Sequence, residues 1–218
     1  PHSVIVRLIE EFRDGNFFFH IGVTLFEFVS GLVLGAFVAI LFGYIIAHSK
    51  KAELVLSPIL TASQAIPMVA VAPLFVLWFG PGLFSKILVC AIIVFFPILV
   101  NTIYGLKNIP ADLMLLFSTL HASKKDTIRL LEIPASLPAF LSGLKVGATL
   151  SVTGAVVGEF IGADKGLGYL INVARGQYDT AFVFSTVLIL VVMALLLYRS
   201  VEFLEKKVTR KSDDEVMI

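Results

Sequence analysis

The sequence predicts an all-α integral membrane protein with five transmembrane helices, and three observations predict it. The 218 residues are 58% hydrophobic and 15% charged, against about 45–50% and about 25% in soluble domains. The apolar residues gather into five runs, each near the roughly 20 residues a helix needs to cross a bilayer. Lysine and arginine collect between alternate runs, as in multi-pass helical proteins. The runs are too long for barrel strands, which alternate over about ten residues. Charges this sparse form no basic face for nucleic acid. The single cysteine, Cys90, excludes an internal disulfide and reads as a small buried hydrophobe.

The chain reads as one transmembrane domain over 1–218. Residues 1–19 form an external amphipathic segment with Arg7, Glu10, Glu11 and Arg13, and no signal peptide is evident. The first span covers about 20–47. Its Gly31, Gly35, Ala39 and Gly43 recur every four residues, a small-residue stripe along one helix face. Glu27, near the outer end, is expected to reach the interface.

The second span covers about 59–79 and contains Pro67 and Pro73, with Gln64 before them. Proline frees backbone carbonyls, and these are tolerated at membrane depth only against protein or a water-filled cavity. The stretch is therefore interior, either lining a path or packing. The third span, about 83–104, has Pro97, a second expected kink, and Asn101 one turn later. The fourth, about 144–161, repeats the small-residue stripe at Gly143, Gly147, Ser151, Gly154, Gly158 and Gly162. Both stripes fit tight packing inside one subunit, or faces that slide or line a path.

Glu159 lies near the outer end of the fourth span. An ionisable group there is a functional candidate, as an anchor to backbone donors, a lining group or a proton site. Residues 162–180 form an external loop or re-entrant helix, with apolar positions at Leu167, Leu170, Ile171 and Val173. The fifth span covers about 181–204.

Orientation follows from Lys and Arg. The loops at 48–58 and 105–143, their flanks and the C-terminus hold twelve, including Arg210 and Lys211; the other side holds Arg7, Arg13, Lys86, Lys165 and Arg175. The richer side is cytoplasmic, so the C-terminus is inside. An outside N-terminus without a signal peptide predicts a sixth span upstream of Pro1.

The loop at 105–143 contains "LHASKKDTIRLLEIPASLP". Ser123 is a candidate N-cap and Asp126 completes an approximate capping box. Leu120, Ile128 and Leu131 are expected to face inward, and Lys124, Lys125 and Arg129 water. Pro134 is expected to end the helix. Such a helix rests on lipid headgroups or docks a cytoplasmic partner. No G-x-x-x-x-G-K-[ST] run occurs, so no ATP site is visible.

The blocks "QAIPMVAVAPLFVLWFG", "FFPILVNTIYGL", "LPAFLSGLKVGATLSVTGAVVGEF" and "GADKGLGYLI", in this order, resemble the permease subunits of binding-protein-dependent ABC importers. They are closest to the branch of nitrate, sulfonate and taurine permeases and of those linked to riboflavin and pyrimidine thiamine-precursor uptake, and the last two blocks lean to the riboflavin and pyrimidine side. The family's loop signature has a glycine where His121 stands and E-A-A at Leu115, Leu116 and Phe117; its proline falls on Pro134.

The resemblance implies a type I importer permease fold in a bacterial or archaeal inner membrane, with no cofactor in this subunit, since ATP and magnesium bind the partner ATPase. It implies a second permease copy, two ATP-binding subunits and an external substrate-binding protein. The coupling helix would comprise Leu120, His121, Ala122, Ser123, Lys124, Lys125, Asp126, Arg129 and Pro134. The translocation path would use Gln64, Pro67, Asn101, Ser151, Gly154 and Glu159. The expected cargo is riboflavin or a pyrimidine, with a sulfonate, nitrate or related anion as alternative. Two rival classes are a self-contained transporter using Glu159 and a membrane scaffold. The halves show no internal repeat of the kind secondary transporters carry.

Overall fold

The computed structural model describes residues 2–13 and 15–216, with side chains to Lys207. The side chains of Arg210 and Lys211, and any span upstream of Pro1, lie outside what is described. Among those residues every regular element is helical: α1 (His2–Arg13), α2 (Asn16–His48), α3 (Lys50–Gln64), α4 (Met68–Phe79), α5 (Leu83–Lys107), α6 (Ala111–Thr119), α7 (Lys124–Thr127), a π-helical turn (Ile128–Glu132), α8 (Ile133–Phe160), α9 (Leu167–Gly176) and α10 (Thr180–Val216).

The centre of the bundle is α5, held between α2 and α8 by the two glycine stripes. A β-carbon at Gly31 would lie 2.4 Å from Cys90 Sγ, and one at Gly35 would lie 2.5 Å from the Ala91 carbonyl oxygen. From the other side, β-carbons at Gly147 and Gly154 would lie 2.9 Å from Ile98 Cδ1 and 2.8 Å from Cys90 Cα. The contacts rise in step along α2 and α5 and in opposite order along α8, so α2 and α5 are parallel and α8 is antiparallel to both. Lipid chains are as apolar as leucine, so close backbone approach, not water exclusion, holds such helices together. Cys90 is buried in this seam, its Sγ 3.3 Å from the Ser151 carbonyl oxygen.

The second span is not one straight helix. Helices α3 and α4, of 15 and 12 residues, are each too short to cross and meet at a 99° bend. Ser49 caps α3, accepting the Ala52 N–H at 3.2 Å. Pro67 lacks a donor and holds the preceding residue out of helical geometry, so the chain restarts at Met68. The pair lies at the periphery and exposes Leu54, Ile59, Leu77 and Trp78. Helix α5, by contrast, runs on through Pro97.

The expected stop at Pro134 does not occur. Residues 124–160 run as one helix, because the turn before the proline widens to the π form, with the Ile133 N–H reaching the Ile128 carbonyl. A π turn makes room where a proline would otherwise strike the preceding carbonyl. Leu131 and Glu132, both buried, fix this turn against the bundle.

Candidate functional site

Two places carry side chains that packing alone does not explain. One is the exposed helix–turn–helix at 111–132. Helix α6 buries none of its residues and presents Leu113, Met114, Leu115 and Leu116 to the surroundings. It stops in a two-bond cap: the Ala122 N–H donates to the Phe117 carbonyl at 3.0 Å and the His121 N–H to the Ser118 carbonyl at 3.1 Å. This cap needs a left-handed residue, usually glycine, and His121 supplies it at φ 51°. His121 is also the position at which the resemblance expected a glycine, and the backbone there has positive φ.

Ser123 then caps α7. Its hydroxyl accepts the Asp126 N–H at 3.2 Å and donates to the Asp126 carboxylate at 2.6 Å. Lys124, Lys125, Asp126, Arg129 and Pro134 are exposed and Ala122 is half-buried. Leu120 does not face inward but is 69% exposed, because the turn swings it out; Leu131 is buried as expected. Behind the turn, Glu132 is buried and its Oε1 lies 3.0 Å from His48 Nε2. The His48 ring stacks on Tyr44, centroids 4.1 Å apart.

The second place is a buried polar cluster at the opposite end. Glu159 is fully buried. Its Oε1 accepts the Thr24 hydroxyl at 2.6 Å, and its Oε2 accepts the Gly168 N–H. The Leu167 N–H donates to Thr24 Oγ1 at 2.8 Å, and the Gly166 N–H to His20 Nδ1 at 3.0 Å. The first backbone donors of α9, orphaned in any helix, are thereby satisfied by α2 and α8. Gly166 sits at φ 111°, and a β-carbon there would collide with the Glu159 carboxyl group. Beside the cluster, Lys86 Nζ lies 3.1 Å from Glu27 Oε1, both groups buried.

Sequence reasoning found Glu159 but missed His20, Thr24, Glu27 and Lys86. Glu27 does not reach the interface, and Lys86, counted with the outer charges, is buried; each is held inside by the other, as a buried charge requires. His20, Thr24 and Glu27 stand at i, i+4 and i+7 on one face of α2, a polar stripe inside an apolar run that was legible.

The remaining residues assigned to a path are dispersed. Ser151 is buried with its hydroxyl on the Ala148 carbonyl at 2.8 Å, and Gly154 lies on the α5 seam. Asn101, half-buried, donates to the Pro97 carbonyl at 2.8 Å. Gln64 and Pro67 are exposed beside the α3–α4 break. Among the described residues no group of three or more His, Cys, Asp or Glu side chains is placed to hold a metal.

Comparison with known proteins identifies the family. Residues 31–210 match the family of binding-protein-dependent transport system inner membrane components. The riboflavin transport system permease protein of Chloroflexus aurantiacus is 46% identical over 164 residues, 75% of this chain and 61% of that protein. The formylaminopyrimidine transport permease protein of Halalkalibacterium halodurans is 38% identical over 94% of this chain and 82% of its own. A putative aliphatic sulfonates transport permease protein of Bacillus subtilis is 33% identical over 96% of this chain and 76% of its own. The fold matches a chain of an inward-facing methionine ABC transporter with a TM-score of 0.75 at 18% identity, over 91% of this chain and 98% of that one.

Proposed function

The chain belongs to the family of binding-protein-dependent transport system inner membrane components, and from that premise we propose that two copies of it form the path by which an ATP-driven importer takes up riboflavin or a pyrimidine thiamine precursor. The observation that carries the cargo is the 46% identity to a riboflavin permease, with the formylaminopyrimidine permease supporting the same side of the branch.

In this reading the exposed end, α6 to α7, docks in a groove on a separate ATP-binding subunit on the cytoplasmic side. The apolar side chains of α6 and Leu120 supply buried area, and Lys124, Lys125, Asp126 and Arg129 set the register. Nucleotide binding by the ATPases draws the two docking segments together. The unbroken helix from Lys124 to Phe160 carries that movement to the α9 end, where a substrate-binding protein delivers the cargo. Access alternates because nucleotide binds the two states with different affinity. Removing Lys86 from the charges of the outer side strengthens the assignment of the C-terminus to the cytoplasm.

A sulfonate or related anion is the second cargo reading, favoured by the Bacillus subtilis relative. A self-contained transporter using Glu159 is disfavoured, because both carboxylate oxygens are already engaged by Thr24 and Gly168. The test is native mass spectrometry of the tagged full-length complex, followed by ATP-dependent uptake into proteoliposomes supplied with the binding protein. Two permeases with two ATPases, and uptake of labelled riboflavin or formylaminopyrimidine but not taurine, is the expected result. Uptake of taurine alone overturns the cargo, and a lone permease active without ATP overturns the importer.

A further inference from the structure

At the α6–α7 end, α2, α5 and α8 leave an open cleft of about 470 Å³ between them, a size in the ordinary range for ligand sites, roughly 300–1,000 Å³. Its walls are apolar, with Ile40 and Leu41 from α2, Leu106 from α5 and Leu137 and Phe140 from α8. Tyr44, Thr102 and Ser136 add hydroxyls to the lining, and Glu132 adds its one carboxylate. The Glu132 side chain is 6% exposed. Its Oε1 is taken by His48, but Oε2 is buried without a hydrogen-bond partner. A buried carboxylate oxygen left unpaired is costly, so the cleft is missing a donor.

The depth of the cleft says what kind. Glu132 and Glu159 lie about 40 Å apart along one helix, taking 1.5 Å per residue. That exceeds the roughly 30 Å hydrocarbon core and is close to the roughly 40–45 Å of a bilayer with its headgroup regions included. With Glu159 at one polar boundary, Glu132 is level with the headgroups of the other. Phe140, Leu137 and the exposed Ile40 and Leu41 then lie in the hydrocarbon layer.

We propose that the cleft binds one phospholipid with a primary-amine headgroup, its ammonium donating to Glu132 Oε2 and an acyl chain lying along Leu41, Leu137 and Phe140. The occupant is a lipid because the open cleft is flanked by the exposed apolar Ile40 and Leu41 at bilayer depth. The head is an amine because the one unsatisfied atom is an anionic acceptor. A quaternary ammonium has no N–H and cannot replace it. The lipid would brace the π turn that joins the docking segment to α8. The proposal rests on the membrane-spanning reading alone and stands or falls independently of the cargo.

The test is native mass spectrometry of the full-chain complex, exchanged into an equimolar mixture of phosphatidylethanolamine and phosphatidylcholine with matched chains. Wild type is expected to retain the ethanolamine lipid about tenfold over the choline lipid, the scale of one charge-assisted hydrogen bond. Glu132→Gln should bring the ratio near one. Ile40→Trp fills the cleft mouth and leaves the His48–Glu132 pair intact; it should remove the adduct while the complex stays assembled. Equal retention of both lipids by wild type overturns the proposal. So does a preference that survives Glu132→Gln, an adduct that survives Ile40→Trp, or a lipid-free dimer in which the second copy protects the cleft from cross-linking.

Discussion

The Glu159 carboxylate accepts the Thr24 hydroxyl at 2.6 Å, across 135 residues of sequence. The same carboxyl group holds the Gly168 N–H at the start of α9, so one side chain ties three helices. Glu159→Ala leaves two buried donors unpaired and a charged Lys86 nearby, at an expected cost of about 3–5 kcal/mol. Glu159→Gln keeps an acceptor and should cost less than half as much. Labelling of buried Cys90 by a maleimide dye during heating reads both, since this thiol becomes accessible only when the seam opens.

Gly166→Ala should be nearly as damaging as loss of the carboxylate. It places a β-carbon on the Glu159 carboxyl group and forces a side chain into φ 111°, for about 2–3 kcal/mol. Gly22→Ala is the control. Nothing lies within 4 Å of a β-carbon there, and alanine in a helix gains up to about 1 kcal/mol over glycine. The two melting shifts should have opposite signs.

Lys86→Met strands Glu27, and Glu27→Gln strands Lys86. Each single change is expected to cost about 3–5 kcal/mol, whereas the double variant should recover more than half of that, because a buried pair replaced together loses little. Additive losses in a double-mutant cycle would show that the 3.1 Å contact is not the coupled unit.

His121→Gly should tighten the turn after α6. It removes the left-handed strain at φ 51°, a gain of about 0.5–1 kcal/mol once glycine's larger unfolded-state entropy is counted. Hydrogen exchange at Ala122 N, which closes this cap, should slow several-fold. His121→Val, β-branched, should speed it.

Asp126→Lys removes the partner of the Ser123 hydroxyl and leaves the turn with positive charges only. Recovery of the ATPase subunit on the tagged permease should fall at least several-fold. Asp126→Asn retains the cap and should fall less. Unchanged recovery for Asp126→Lys would refute the docking assignment.

Much of this was legible in local patterns. The stripes Gly31–Gly35–Gly43 and Gly143–Gly147–Gly154 announced close helix approach, and Ser123 announced its cap. What was not legible needed the partner. Nothing at Glu27 points to a lysine 59 residues away, so each charge read as an interfacial group at the end of an apolar run. Pro134 was misjudged for a similar reason. The local rule ends a helix there, but burial of Leu131 and the His48–Glu132 contact hold a widened turn that lets the helix continue. Pro67 shows the same rule winning where α3 and α4 have little to pack against.

The glycine seam around α5 also shapes what heredity can alter in this protein. Every glycine codon begins with two guanines, so any single-base change that replaces the residue adds at least a β-carbon. At Gly31, Gly35, Gly147 and Gly154 that carbon meets atoms within 3 Å. In a random genetic screen for loss of function, missense alleles should therefore gather along this buried line, while the exposed apolar positions of α3 and α4 drift freely among leucine, isoleucine, valine and phenylalanine codons.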